Sequence, residues 1–164
     1  MIIRNYQEAD FADLVRLMDE FNDYIVSVDT SGVVKSYTSP ADCETYTIQT
    51  IKDANERNGF IYVAEENGNI IGFVQGIIDN NDKDILYVLT HIPFADGWIG
   101  ELYVKPEFRG QGIGKQLVAK ANCYFKGKGC KYVRVYVLND NVNTVNIYKK
   151  LGFKIRDLEM LSEL

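Results

Sequence analysis

Histidine is nearly missing from this chain of 164 residues: His91 stands alone. A single histidine in a loop-like stretch is most simply a surface residue rather than a catalytic base. Cysteine is also sparse. Cys43, Cys123 and Cys130 are odd in number and form no C-x-x-C, which argues against a disulfide framework and against a zinc knuckle. Cys123 falls in a predicted helix and is expected to pack there. No apolar run approaches the roughly 18 residues of a membrane span. The opening Met-Ile-Ile-Arg-Asn lacks the n-region and h-region of a secretory leader, so a cytoplasmic location and no membrane partner are expected. A basic excess is missing too. Lys and Arg number 18 against 23 Asp and Glu, for a net charge of -5. That makes nucleic acid a poor partner. It weakly favours a cationic partner such as an amine, although solubility alone accounts for many acidic chains. Repeats, linkers and low-complexity segments are absent, and the length fits a single domain over 1–164 with a real core. Asp79, Asp82 and Asp84 lack the twelve-residue loop pattern of a calcium hand and read as a solvated turn. No other cluster offers metal ligands.

What is present concentrates in residues 98–126. Trp98 to Val104 reads as a buried or half-buried strand, with Ile99, Leu102, Tyr103 and Val104. Pro106 ends it, because proline has no N–H to give a ladder. Arg109-Gly110-Gln111-Gly112-Ile113-Gly114-Lys115 follows. Then Ile113, Leu117, Val118, Ala121 and Phe125 recur at helical spacing to about residue 126. The first turn of a helix carries unpartnered amides and the positive end of its dipole. Glycines at 110, 112 and 114 would let an anion reach those amides, with charge added by Arg109 and Lys115. A phosphate is the natural ligand; a plain strand-helix turn is the alternative.

Three phosphate loops can be compared with this one. A Walker loop needs G-x-x-x-x-G-K-[ST], but Gln116 follows Lys115 and Arg109 takes the first glycine position. A dinucleotide fingerprint needs G-x-G-x-x-G, but Lys115 takes the last position. Asp140 could stand for its ribose-binding acid, so a nicotinamide-dependent enzyme is a weaker alternative. The third pattern is [QR]-x-x-G-x-[GA], met by Arg109, Gly112 and Gly114. A second motif lies downstream. Asn141, Val145, Ile147, Tyr148, Gly152 and Phe153 follow N-x-x-A-[IV]-x-[LI]-Y-x-x-x-G-F, with Thr144 in place of the alanine. On these two motifs, in this order, the chain resembles the GNAT acetyltransferase superfamily.

The remaining chain is read from pattern. Residues 2–6 suit a strand. Asp10 can cap a helix whose stripe is Phe11, Leu14, Val15, Met18 and Phe21. Residues 22–38, with Tyr24, Ser27, Asp29, Ser36 and Tyr37, have no clear period. Ser39-Pro40 starts a second helix, with Ile48, Ile51 and Ala54 as its expected buried side, and Asn58-Gly59 ends it. Phe60–Glu65 and Asn69–Ile78 form a hairpin around Asn67-Gly68. Gly72 and Gly76 within it suggest a bulge or a close packing partner. Ile85–Leu89 could add a strand, and 79–97 is longer than a simple hairpin of this family would need. Lys131–Leu138 is a strand in parallel with 98–104. Val142, Val145, Tyr148 and Leu151 share a helical face, and Lys154–Leu158 would be the last strand.

The resemblance implies an α/β (α+β) GNAT fold, with a mixed central sheet of about six to seven strands flanked by helices on both faces. It implies acyl transfer, most often acetyl, from acetyl-coenzyme A to a primary amine by direct attack through a tetrahedral intermediate, with no metal. The coenzyme pyrophosphate would rest on residues Gly110, Gln111, Gly112, Ile113, Gly114 and Lys115 beside Arg109. The pantetheine arm would lie along Leu102, Tyr103 and Val104, in a splay between that strand and the next. The amide of Val104 or a neighbour could polarise the thioester carbonyl. Tyr148 matches the family's general acid for the leaving thiolate. Asn141 would shape the coenzyme pocket or hold the start of its helix. Glu101 is the candidate base or amine-binding group, although three positions separate it from Val104, so a regular strand would turn them to opposite faces. A bulge could change that. The acceptor would be a small-molecule amine or a peptide or protein amine. Dimerisation is common in the family, so a homodimer is an expected assembly. A non-catalytic acyl-coenzyme A sensor is the main alternative function.

Overall fold

The structure, a computed structural model, describes residues 1–80, 89 and 95–162. Strand β1 (Ile2–Asn5) leads through a short turn into helix α1 (Phe11–Val28). Helix α2 spans Pro40–Glu56. Its start is as expected: the Ser39 side chain accepts from the Asp42 amide, Asp42 reaches back to the Ser39 amide, and Pro40 occupies the first turn. Strands β2 (Phe60–Glu66) and β3 (Asn69–Asn80) form the hairpin. Asn67 and Gly68 both take positive φ, 51° and 78°, which suits the tight turn that matches strand twist. Strand β4 (Ala95–Val104), helix α3 (Ile113–Gly127), strand β5 (Tyr132–Val135) and helix α4 (Val142–Lys150) complete the described elements.

Among the described residues the sheet has five strands in the order β1-β2-β3-β4-β5. Neighbours are antiparallel except β4 and β5, which run parallel, so the sheet is mixed. The strand count falls below the expected six to seven. Lys154–Leu158 forms no strand; Ile155 and Leu158 are 59% and 76% exposed. Those two apolar residues are three apart, so the segment has no single apolar strand face to bury. The expected strand at 85–89 lies outside the described residues except for Leu89, and so does His91.

Each sheet face has its own core. On one side α1 and α2 supply Leu14, Leu17, Met18, Cys43 and Ala54 against Ile61, Val63, Phe73 and Tyr103. On the other, α3 lays Ile113, Leu117, Val118, Ala121 and Phe125 against Phe60, Tyr62, Val74 and Ile99. The whole predicted stripe of α3 is buried. Gly76 is glycine for space: a Cβ there would come within 2.7 Å of the Phe60 ring and 2.8 Å of Phe125.

Three packing expectations need correction. The buried side of α2 is Cys43, Thr47, Thr50 and Ala54, whereas Ile48 is 52% exposed. Apolar pattern misleads here because Thr47 satisfies its own hydroxyl by donating to the Cys43 carbonyl at 2.9 Å, so it buries without penalty. Cys123 is exposed rather than packed. Val142 is also exposed, since it sits in the first turn of α4, while Tyr148 is the residue of that helix that buries.

Candidate functional site

Strand β4 is irregular at one point. Val74 pairs with Leu102 and Gly76 with Ile99, so two steps along β3 match three along β4. The extra residue of β4 lies opposite Gln75, at Gly100-Glu101, and is a β-bulge. Its effect appears in the cores: Ile99, Leu102 and Val104 all pack on the α3 side, while Tyr103 packs on the α1/α2 side. Glu101 shares the α1/α2 side, where Tyr46 of α2 reaches it. The bulge therefore comes before Glu101 and does not turn it toward the Val104 side chain. At Gly100 the buried Gln75 amide fills the space a Cβ would take, so a larger residue there would have to displace the end of that side chain.

The bulge also ends the parallel pairing. β4 and β5 pair from Asp96/Tyr132 to Ile99/Val135 and no further. This is why β5 is shorter than the expected Lys131–Leu138. Beyond Ile99 the edge of β4 at Leu102, Tyr103 and Val104 has no β5 partner, so the two strands splay. An amide-rich arm can enter such a gap as an added strand.

At the mouth of the splay stands the N-terminus of α3. Gly110 and Gly112 have φ of 78° and 79°, a left-handed conformation that favours glycine. A Cβ at 110, 112 or 114 would meet nothing within 4 Å, so the space before these amides is open. Gly112 precedes the helix without a side-chain cap, leaving the amides of Ile113, Gly114 and Lys115 for another acceptor. Ile113 buries its side chain and offers only its backbone; Gln111 and Lys115 are exposed. The loop fits a pyrophosphate. The side chain of Arg109, exposed at the start of this loop, also makes contacts that the sequence did not suggest. Its Nε donates to the Val104 carbonyl at 2.8 Å. Its guanidinium lies 4.9 Å from the Tyr24 ring centroid and 5.3 Å from that of Tyr103. It fixes the exit of β4.

Asn141 is seen holding the start of α4. Its Oδ1 accepts from the Thr144 amide at 3.3 Å and from the Tyr24 hydroxyl at 2.9 Å. Thr30 donates to Asp140 next door. The end of α1 and the loop after it are thus tied to the end of the splay. Residues 22–28, which have no clear period in the sequence, continue α1.

Glu101 and Tyr148 flank β4 from opposite sides. Tyr148 belongs to the α3-side core, its ring edge-on to Phe153 at 5.2 Å, and burial raises its hydroxyl pKa. Glu101 is 9% exposed. Burial raises its carboxyl pKa; the Tyr46 hydroxyl, donating to Oε1 at 2.6 Å, opposes this, and the nearby Asp53 charge adds to it. Oε2 is buried with no hydrogen-bond partner among the described residues. Tyr46 has no motif to betray it; only its place one turn from the buried Cys43 and Thr50 hints that it could reach inward. Among the described residues no group of three or more His, Cys, Asp and Glu could hold a metal, and no helix is long and apolar enough to cross a membrane.

The acetyltransferase (GNAT) family model matches residues 18–153. An uncharacterised N-acetyltransferase of Methanocaldococcus jannaschii is 34% identical over 156 residues, covering 95% of this chain and 62% of its own length. Among solved structures, a tetramutant Bacillus halodurans protein superposes with a TM-score of 0.81 at 19% identity over 100% of both chains. An aminoglycoside N-acetyltransferase in complex with coenzyme A gives a TM-score of 0.73 at 17% identity, over 99% of this chain and 93% of that one.

Proposed function

The chain belongs to the acetyltransferase (GNAT) family, and on that premise we propose that it transfers an acetyl group from acetyl-coenzyme A to a primary amine. The observation that carries the reading is the splay of β4 from β5, opening onto an uncapped helix N-terminus whose glycines leave their amides clear. The pyrophosphate would take the amides of residues 110–115. The pantetheine would follow Leu102–Val104, and a backbone amide near Val104 would polarise the thioester carbonyl. The amine attacks as a neutral group: the C–N bond forms first, giving a tetrahedral intermediate, and the C–S bond breaks when that intermediate collapses. Glu101, on the α1/α2 side, would take the proton from the amine; Tyr148, on the α3 side, would give one to the leaving thiolate. Carriers on opposite faces of β4 suit a reaction in which acceptor and coenzyme come from opposite sides. The coenzyme A complex of a structural neighbour supports the donor.

The test is release of free coenzyme A thiol from acetyl-coenzyme A against a panel of polyamines, aminoglycosides, amino acids, peptide N-termini and lysine peptides. Turnover with one class is expected. Acetyl-coenzyme A binding with no turnover on any amine would favour a sensor, and absence of binding would overturn the glycine-loop assignment.

A further inference from the structure

We propose that Tyr46 is the positioning residue for Glu101, and that the two, with Tyr37, form the subsite that receives the acceptor as an ammonium on an aliphatic stem. The proposal rests on the acetyl-transfer reading for the acceptor and on the geometry for the pair. Tyr46 is 41% exposed as a residue, yet its hydroxyl reaches the carboxylate of Glu101, a residue only 9% exposed. Tyr46 therefore runs from the surface to Glu101. The Tyr37 ring stands beside it, centroids 5.9 Å apart and planes at 48°. Two aromatic faces leading to a carboxylate attract a cation and cover its stem.

The occupancy of Glu101 gives the direction. Oε1 is taken by Tyr46, while Oε2 is buried without a donor. A buried carboxylate oxygen in that state calls for a donor from a ligand. An ammonium supplies both donor and charge, and Glu101 then accepts its proton. Among the described residues, the groups that act on Glu101 are Tyr46, the Asp53 charge of α2 and, coupled to it, Tyr37, while Gln75 of β3 lies against the neighbouring Gly100. Of these, Tyr46 alone stabilises the ionised form by a hydrogen bond. Its own hydroxyl is held neutral by burial and by the adjacent carboxylate, so it stays a donor.

Tyr46→Phe keeps the ring and removes the donor. The Glu101 pKa should then rise by about one pH unit. The acid limb of kcat/KM should move up by the same amount, and kcat should recover above it. The acceptor's own pKa is common to both proteins, so it cannot produce the difference. Tyr46→Leu, which also removes the ring, should in addition raise the acceptor KM. In a Glu101→Gln background the acid limb that belongs to this carboxyl should be lost, and Tyr46→Phe should then change the pH profile no further. Titration of the Glu101 carboxyl by carbon-13 NMR in the free protein needs no acceptor: a higher midpoint in Tyr46→Phe supports the positioning role even if every amine in the panel fails. An unchanged midpoint, or equal loss of kcat/KM at every pH, overturns the proposal.

Discussion

Gly112 offers the sharpest test of the proposed coenzyme site, because its effects on folding and on binding can be separated. Its φ of 79° lies where an L residue is strained, but a Cβ there would touch nothing in the protein within 4 Å. Gly112→Ala should therefore destabilise only through backbone strain, by about 1–2 kcal/mol. For a chain of this size that lowers Tm by roughly 2–8 °C. Binding should suffer separately, since the methyl and the relaxed φ both disturb the amides after it. Losing one hydrogen bond to a charged phosphate is worth about 1.5–3 kcal/mol, or about tenfold to a hundredfold in Kd. Gly112→Val should be worse on both counts, a β-branched residue being a poorer fit at positive φ. Gly114→Ala is the control. That position is helical, free of neighbours and without positive φ. Alanine there should hold or raise stability by up to about 1 kcal/mol, and the family motif admits it. Calorimetric titration with coenzyme A and thermal melting read the two quantities. A Gly112→Ala protein that melts lower yet binds coenzyme A like the parent would show that the glycine serves the turn alone, and the anion site would be lost from the argument.

Tyr148→Phe should lower kcat by about 10²–10⁴ with coenzyme affinity nearly unchanged; full turnover at all pH values would remove the hydroxyl from the mechanism. Gly97→Ala places a methyl 2.4 Å from the Phe125 ring and should destabilise by about 1–3 kcal/mol in urea titration, with partial relief in a Phe125→Leu background. Leu17→Ala, at 0% exposure, should cost about 2–5 kcal/mol by the same assay. Asp10 accepts from Arg4 at 2.6 and 2.8 Å, which holds its carboxyl below the usual range. A depressed folded pKa stabilises above the unfolded pKa of about 3.9 and loses that effect as pH falls through the folded value. Asp10→Asn should therefore lower the urea midpoint near neutrality, with the gap to the parent closing in acid; a gap independent of pH would contradict the ion pair's role.

Much of the fold was legible because its signals are local. The Ser39-Pro40 start of α2, the Asn67-Gly68 turn and the stripe of α3 each involve residues within a few positions of one another. The glycine loop was legible for the same reason, since a conformation at positive φ and an uncapped helix turn are properties of neighbouring peptides. The errors also have a local cause. Hydropathy put Ile48 inside α2 because it cannot see that Thr47 and Thr50 bury better on the side that meets the sheet.

By itself, then, the sequence determined the buried stripe of α3, the turns and the uncapped glycine loop, all set by backbone preferences and near-neighbour periodicity. Tertiary structure decided where β4 carries its extra residue, and with it which side Glu101 faces and how far β5 can pair. It also decided that Tyr46, 55 positions away in sequence, meets that carboxylate, and that Arg109 turns back to the Val104 carbonyl. Register and long-range pairs depend on how separate elements pack against one another, and no short window of residues carries that information.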